Sequence, residues 1–145
     1  MTQWVFLAQT DTTVGFLSQD AAKLRAIKQR QSHKPFLKVY PSLQAFKTDH
    51  SHIPNRYKSM LRRTKKCTFI SKGRAFRIVY DAEHNRLLKR FRFMYSTSAN
   101  QSTHRYDKEF CIRNSDIIVQ DSRGLTEESP SRIVQLGKKK RRKLR

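Results

Sequence analysis

Phe93–Ser102 reads FMYSTSANQS, an apolar run that breaks into small hydroxyls and an amide. Phe93-Met94-Tyr95 has the composition of a buried strand, which places Ser96-Thr97-Ser98-Ala99-Asn100 at a strand's carboxyl end. Hydroxyls in such a place donate to phosphate or carboxylate oxygens without crowding them. In open α/β sheets, ligands collect beyond the carboxyl ends of strands. The same residues also suit an ordinary Ser/Asn-rich turn, and local composition leaves both readings open.

Upstream, Trp4–Ala8 reads as a buried strand that ends in the polar turn Gln9-Thr10-Asp11-Thr12. Ser18 is placed to cap a helix through Asp20–Lys28, whose apolar positions 21, 24 and 27 recur every three residues. Phe36–Tyr40 is a short strand, Ser42–Phe46 a helical turn, and Pro54 opens a helix with Tyr57, Met60 and Leu61 on one side. Cys67–Ile70 and Ala75–Tyr80 are strand-like and join through Lys72-Gly73-Arg74 as a hairpin. Asp81 caps a helix over 82–91. Downstream, a helix near 107–113 and strands at Ile117–Val119 and Ile133–Leu136 complete the pattern. Strands and helices thus interleave around one antiparallel hairpin, which predicts a single α/β domain on a mixed sheet over residues 1–137. Residues 138–145 are expected to be a basic tail without fixed structure.

The formal net charge is +21, and Lys138–Arg145 carries seven of those charges. Such an excess points to anionic partners, nucleic acid above all, or to a solvated basic surface. Two runs stand out within the body, Arg56–Lys66 with six cations in eleven residues and Arg86–Arg92 with four in seven. Together they form either a face for RNA backbone or solvated helix surfaces. Cys67 and Cys111 are too far apart in sequence for a metal pair or disulfide framework, which suits a reducing cytoplasm. Histidines 33, 50, 52, 84 and 104 show no ligand spacing, so no metal site is expected. No apolar stretch reaches the roughly 18 residues a membrane span needs, and no secretory leader is recognisable.

A second cluster of interest is Lys28-Gln29-Arg30 with Lys34, three cations where the first helix runs into its loop. They either converge on an oligophosphate or complement the helix C-terminal dipole. Along the chain stand, in order, QTDTTVGF at 9–16, IKQRQSHKP at 27–35, KCTFIS at 66–71, AFRIV at 75–79, STSAN at 96–100 and SPSRIVQL at 129–136. This ordered set resembles the YrdC-like superfamily, which includes the threonylcarbamoyl-AMP synthases of tRNA modification. That family carries a PTDTVYGL-like motif, a KxR helix end with a downstream lysine, GPxTLVL-like and AVRVP-like strands, STSAN, and a late PSTIVD-like segment.

The resemblance implies a twisted, open mixed sheet with flanking helices. It also implies a reaction that condenses L-threonine, bicarbonate and ATP into threonylcarbamoyl-AMP. Lys28 and Arg30 would act on the reacting groups as the catalytic pair, gripping phosphates and substrate carboxylate together with Lys34. Ser96, Ser98 and Asn100 would hold the nucleotide, and Ser131 would close the site. Thr10 and Thr12 would line the threonine pocket, with Thr68 and Arg77 on facing strands. Mg2+ would ride on the nucleotide, and a downstream threonylcarbamoyl transferase would be a partner. Gln9, Val14, Gln31 and Arg132 depart from the residues usual in these motifs. A member that binds tRNA or ribosomal RNA without catalysis is therefore the alternative.

Overall fold

The computed structural model describes residues 1–29, 35–49 and 53–145. The N-terminal half supplies β1 (Phe6–Gln9), β2 (Val14–Ser18), α1 (Ala21–Lys28), β3 (Leu37–Tyr40), α2 (Leu43–Asp49) and α3 (Asn55–Arg63). The rest supplies β4 (Cys67–Ser71), β5 (Arg74–Ile78), α4 (Ala82–Leu88), β6 (Met94–Ser98), α5 (Lys108–Arg113), β7 (Ile117–Val119), β8 (Arg132–Leu136) and β9 (Arg141–Lys143). All nine strands belong to one mixed sheet in the order β7-β1-β2-β6-β3-β5-β4-β8-β9. Pairing is parallel at β7/β1, β3/β5 and β4/β8, and antiparallel elsewhere. The expected single mixed α/β domain is what forms.

Strand alternation sorts the side chains onto two faces. One face carries Leu7, Val14 and Phe16, packed with Leu24 of α1 and Cys111 of α5. The same face continues through Tyr40, Phe69, Phe76 and Ile78 under Phe46 of α2 and Tyr57 and Leu61 of α3. The opposite face has Phe6, Ala8, Leu17, Val39 and Met94, covered by Leu88 of α4. In the register, Leu17 pairs with Ser96, Leu37 with Ser96 and Val39 with Arg77, so Ser96 and Arg77 share the α4 face.

Three aspartates cap helices: Asp20 accepts from the Ala22 and Lys23 N–H groups, Asp81 from His84 and Asp107 from Phe110. Ser18 is not the cap of α1. It ends β2, a strand hidden in the sequence behind the polar turn, and its hydroxyl donates to the Trp4 carbonyl. The helix after Asp81 is also shorter than expected and closes at Leu88.

The tail expected to lack structure instead supplies β9, antiparallel to β8 with Gln135 opposite Arg142. Pairing satisfies the outer edge of β8, and long basic side chains lie on an edge strand with their charges in water. The turn into it requires Gly137, because a Cβ there would stand 2.8 Å from the Lys140 carbonyl oxygen.

The two basic runs do not share one face. Arg56–Lys66 belongs to α3 and its exit, whereas Arg86–Arg92 belongs to α4 and its exit, on the other side of the sheet.

Candidate active site

The turn between β1 and β2 folds back across the α4 face of the sheet. Thr10 donates its hydroxyl to the Thr13 carbonyl at 2.6 Å and accepts from the Thr12 N–H at 3.2 Å, which closes the turn on itself. The two hydroxyls of Thr10 and Thr12 lie 3.3 Å apart. The turn lies low because residue 15 is glycine. A Cβ there would sit 3.0 Å from the Thr10 methyl and 3.1 Å from the Thr97 carbonyl oxygen. Thr10 is thereby brought beside the Ser96 hydroxyl, which is 3.8 Å from the same point.

Beyond Thr10 the turn presents Asp11 to two groups. Arg77 Nη2 lies 3.3 Å from Asp11 Oδ1, and both side chains are buried. His84 of α4 is buried as well, with its Nδ1 3.5 Å from that oxygen. Burial pushes the His84 pKa below its ordinary value, against the pull of Asp11, so the ring is neutral. Its Nδ1 then accepts the Asp11 backbone N–H at 3.2 Å and the ring proton resides on Nε2. Burial raises the Asp11 pKa and the charged Arg77 guanidinium 3.3 Å away lowers it, so that the carboxyl lies below its usual range. Burial also lowers Arg77, opposed by Asp11, and arginine remains charged all the same.

Arg77 further donates from Nη1 to Thr68 Oγ1 at 3.4 Å, and that hydroxyl is 2.8 Å from Ser131 Oγ. Strands β5 and β4 and the segment before β8 thus meet in one buried polar patch. Within it, Asp11 Oδ1, Arg77 Nε and His84 Nε2 are buried with no aligned hydrogen-bond partner. Each such atom costs about 1–3 kcal/mol when left unmet. All three cluster around one ion pair.

The second half of the site lies where β6 ends. Lys28, buried at the last residue of α1, directs its ammonium to the Ser98 carbonyl at 3.0 Å, the Asn100 carbonyl at 2.6 Å and Asn100 Oδ1 at 2.8 Å. Ser98 Oγ also donates to Asn100 Oδ1, and Asn100 Nδ2 donates to the His104 carbonyl. The hydroxyl-rich turn is therefore a shaped loop, ordered around a buried cation.

Of the residues singled out from sequence, Thr10, Thr12, Thr68, Arg77 and Ser131 fall in or beside the buried patch. Lys28, Ser98 and Asn100 form the second cluster, and Ser96 lies beside Thr10. Arg30 and Lys34 lie outside the described residues, as do His33, His50 and His52. The sequence reading missed Asp11 as the partner of Arg77, His84 as its buried neighbour, and Arg123.

Arg123 donates to the Gln9 and Thr10 carbonyls and to both Asp81 and Asp121. It thereby fastens the turn to the start of α4. A buried histidine three residues after a capping aspartate carries no ligand spacing, and Arg123 sits among polar residues without periodicity; neither leaves a sequence signal. Among the described residues, no three or more His, Cys, Asp or Glu side chains come together as a metal-holding group.

A variant of P. abyssi Sua5 superposes with a TM-score of 0.79 at 16% identity, covering 98% of this chain and 49% of that one. P. abyssi Sua5 complexed with L-threonine gives 0.76 at 16% identity, with 98% and 50% covered. E. coli YciO gives 0.72 at 17% identity, with 98% and 82% covered. The chain thus spans about half the length of the Sua5 structures it matches. No curated protein matches the sequence. The family model Sua5_yciO_yrdC, described as telomere recombination, matches residues 4–145. With that match over nearly its whole length, on a sheet shared with Sua5 and YciO, the chain belongs to the Sua5/YciO/YrdC family.

Proposed function

We propose that this domain makes threonylcarbamoyl-AMP from L-threonine, bicarbonate and ATP, as donor for the N6-threonylcarbamoyl modification of tRNA adenosine. The observation that carries the reading is the buried patch of Asp11, Arg77 and His84, with unmet polar atoms beside the hydroxyls of Thr10, Thr12, Thr68 and Ser131. A fixed guanidinium on a dry floor suits a carboxylate, and the hydroxyls around it suit a hydroxylated side chain. A structural relative complexed with L-threonine supports the same assignment.

In the reaction, the threonine amine adds to bicarbonate carbon and water leaves, giving a carbamate. A carbamate oxygen then attacks the α-phosphorus of ATP, and pyrophosphate departs. No protein nucleophile is required, so the protein's work is positioning and charge neutralisation. Arg77 orients the substrate carboxylate and is itself oriented by Asp11. Lys28, Arg30 and Lys34 meet the phosphates, while Ser96, Ser98 and Asn100 hold the nucleotide. Mg2+ travels with the nucleotide, since the described residues offer no carboxylate cluster for it. The adenylate passes to a downstream threonylcarbamoyl transferase in the cytoplasm. No helix among the described residues is long and apolar enough to cross a membrane.

A second reading is a binding-only member acting on tRNA or ribosomal RNA. One observation favours it: the Lys28 ammonium already faces three protein oxygens. Incubating the purified protein with ATP, threonine and bicarbonate separates the two. Pyrophosphate together with threonylcarbamoyl adenylate is expected. Absence of both from a folded, RNA-binding protein would reject the synthase and leave the second reading standing.

A further inference from the structure

Two helical packs cover one face of the sheet and part between them. Phe36 belongs to the cluster under α1 and α5, and Phe46 to the cluster under α2 and α3. Where the clusters part, a cavity of about 630 Å3 opens to solvent. Its floor is one rung of the sheet, in which Tyr95 of β6 lies opposite Lys38 of β3, and Lys38 opposite Phe76 of β5. Strand alternation turns the next residues, Ser96 and Arg77, to the other face. The cavity therefore backs onto the candidate active site and shares no lining side chain with it.

The wall and the rim differ in character. Phe46 stacks on Phe76, with ring centroids 4.2 Å apart and planes 20° apart. Lys38 belongs to the wall: its ammonium meets Asp49 at 2.8 Å and lies 4.1 Å from the Phe93 ring centroid and 5.5 Å from that of Tyr95. At the rim, positive φ at Lys72 and Gly73 closes the β4–β5 hairpin in two residues and sets Lys72 and Arg74 beside the opening, both exposed. Among the described residues, no carboxylate lies within ion-pair distance of either cation. The chain has no Asp or Glu at all from residue 50 to residue 80.

We infer that this cavity is a binding site for a small aromatic anion, a flat ring system that carries one negatively charged group. Its volume falls among those of small-molecule sites, which pair apolar walls with a few placed polar groups. The faces and edges of Phe36, Phe46, Phe76 and Tyr95 hold a flat ring at less ordering cost than a flexible chain. Two uncompensated cations at the rim select an anionic head group, Arg74 through its planar fork and Lys72 as a point charge. A cationic ligand would have to sit among Lys38, Lys72 and Arg74. The inference goes beyond the proposed reaction and does not rest on it.

The test titrates 15N-labelled protein with indole-3-acetate, tryptamine or hexanoate and follows the amide chemical shifts. Indole-3-acetate should saturate with a dissociation constant on the order of 1 mM or tighter, as suits its size. Its largest shifts should fall on Ser71–Phe76, Phe36 and Tyr95. Tryptamine, a similar ring with a positive group, and hexanoate, an anion without a ring, should each bind at least about tenfold more weakly. Lys72→Gln/Arg74→Gln should weaken indole-3-acetate at least about tenfold, whereas Lys89→Gln/Arg90→Gln, on the opposite face, should stay within about twofold. Ser71→Phe fills the cavity from a half-buried position and should abolish binding with both charges kept.

Absence of saturable shifts, or shifts centred on Thr10–Thr12 and Arg77, would overturn the assignment of the cavity, as would equal loss in the control. Equal binding of tryptamine would overturn the requirement for an anion, and equal binding of hexanoate the requirement for a ring. If the double variant fails to fold, Arg74→Gln alone should weaken indole-3-acetate by about threefold or more, and an unchanged constant would overturn the inference.

Discussion

Arg77 lies inside the sheet, 3.3 Å from Asp11 and 3.4 Å from Thr68, while Arg142 lies on the outermost strand with its charge in water. The first is fixed by a carboxylate that is itself buried. The second belongs to a segment that contains no carboxylate at all. Acidic residues are scarce, 11 against 32 cations, so where they are placed decides which cations serve the fold and which remain available. Asp11 and Asp121 turn arginines inward as parts of the structure, whereas the cations of α3 and β9 face solvent.

Removing the inward arginine should have the largest effect. Arg77→Met leaves Asp11 buried beside a neutral histidine and should cost about 3–5 kcal/mol in urea unfolding, with adenylate formation lost. Adding Asp11→Asn should recover part of that stability without recovering activity. A single variant as stable as the wild type would mean that Asp11 and Arg77 are not a coupled pair.

Next in size is Gly15→Ala. Its methyl would meet a strand carbonyl that cannot yield and the Thr10 side chain. An overpacking cost of about 1–3 kcal/mol is expected, together with weaker threonine binding by calorimetry as the turn is lifted from the sheet. Destabilisation with unchanged threonine affinity would separate the turn from the pocket.

A smaller effect concerns pH. The folded pKa of His84 lies below its ordinary 6.5, so the unfolded chain takes up that proton first as the medium is acidified. Stability is therefore full above about pH 6.5 and declines as pH falls from there toward the folded pKa, by at most about 1.4 kcal/mol per pH unit. Asp11 acts in the same direction but lower, below its ordinary 3.8. His84→Gln should flatten the stability profile between pH 7 and about pH 5, and an unaltered profile would show that the ring is not buried neutral.

The outward side chain should matter least. Arg142→Gln should shift the unfolding midpoint by less than about 0.5 kcal/mol, upward if at all, since only repulsion is removed. A clear loss of stability would mean that the edge strand is held by its charges.

Much of the fold was legible because it rests on apolar spacing. The hairpin at Lys72-Gly73, the helix capped by Asp81 and the strand before STSAN all follow from alternation and turn chemistry. Strand β2 was not legible, since Thr12 and Thr13 read as a turn and Gly15 breaks the alternation although all five strand residues are buried. Strand β9 was hidden by its own charge: backbone pairing to an open edge needs no apolar residue, so composition is silent about it. The site shows the same division. Hydroxyls and cations in ordered motifs pointed to the patch, whereas the contacts of Asp11 with Arg77 and His84 bridge dozens of residues and come only with the fold.

The sheet also fixes when the site can exist. Phe6 pairs with Ile117, Gly15 with Ser98 and Thr68 with Ile133, so many rungs close loops of sixty residues or more. High contact order of this kind makes folding slow, with large loop-closure entropy spent before the contacts repay it. The Thr68–Ser131 bond waits on the arrival of β8, late in the chain. Stopped-flow refolding should accordingly show threonine binding appearing with the last kinetic phase, and an earlier appearance would contradict this order. The buried polar patch is a property of the finished sheet and of no smaller piece.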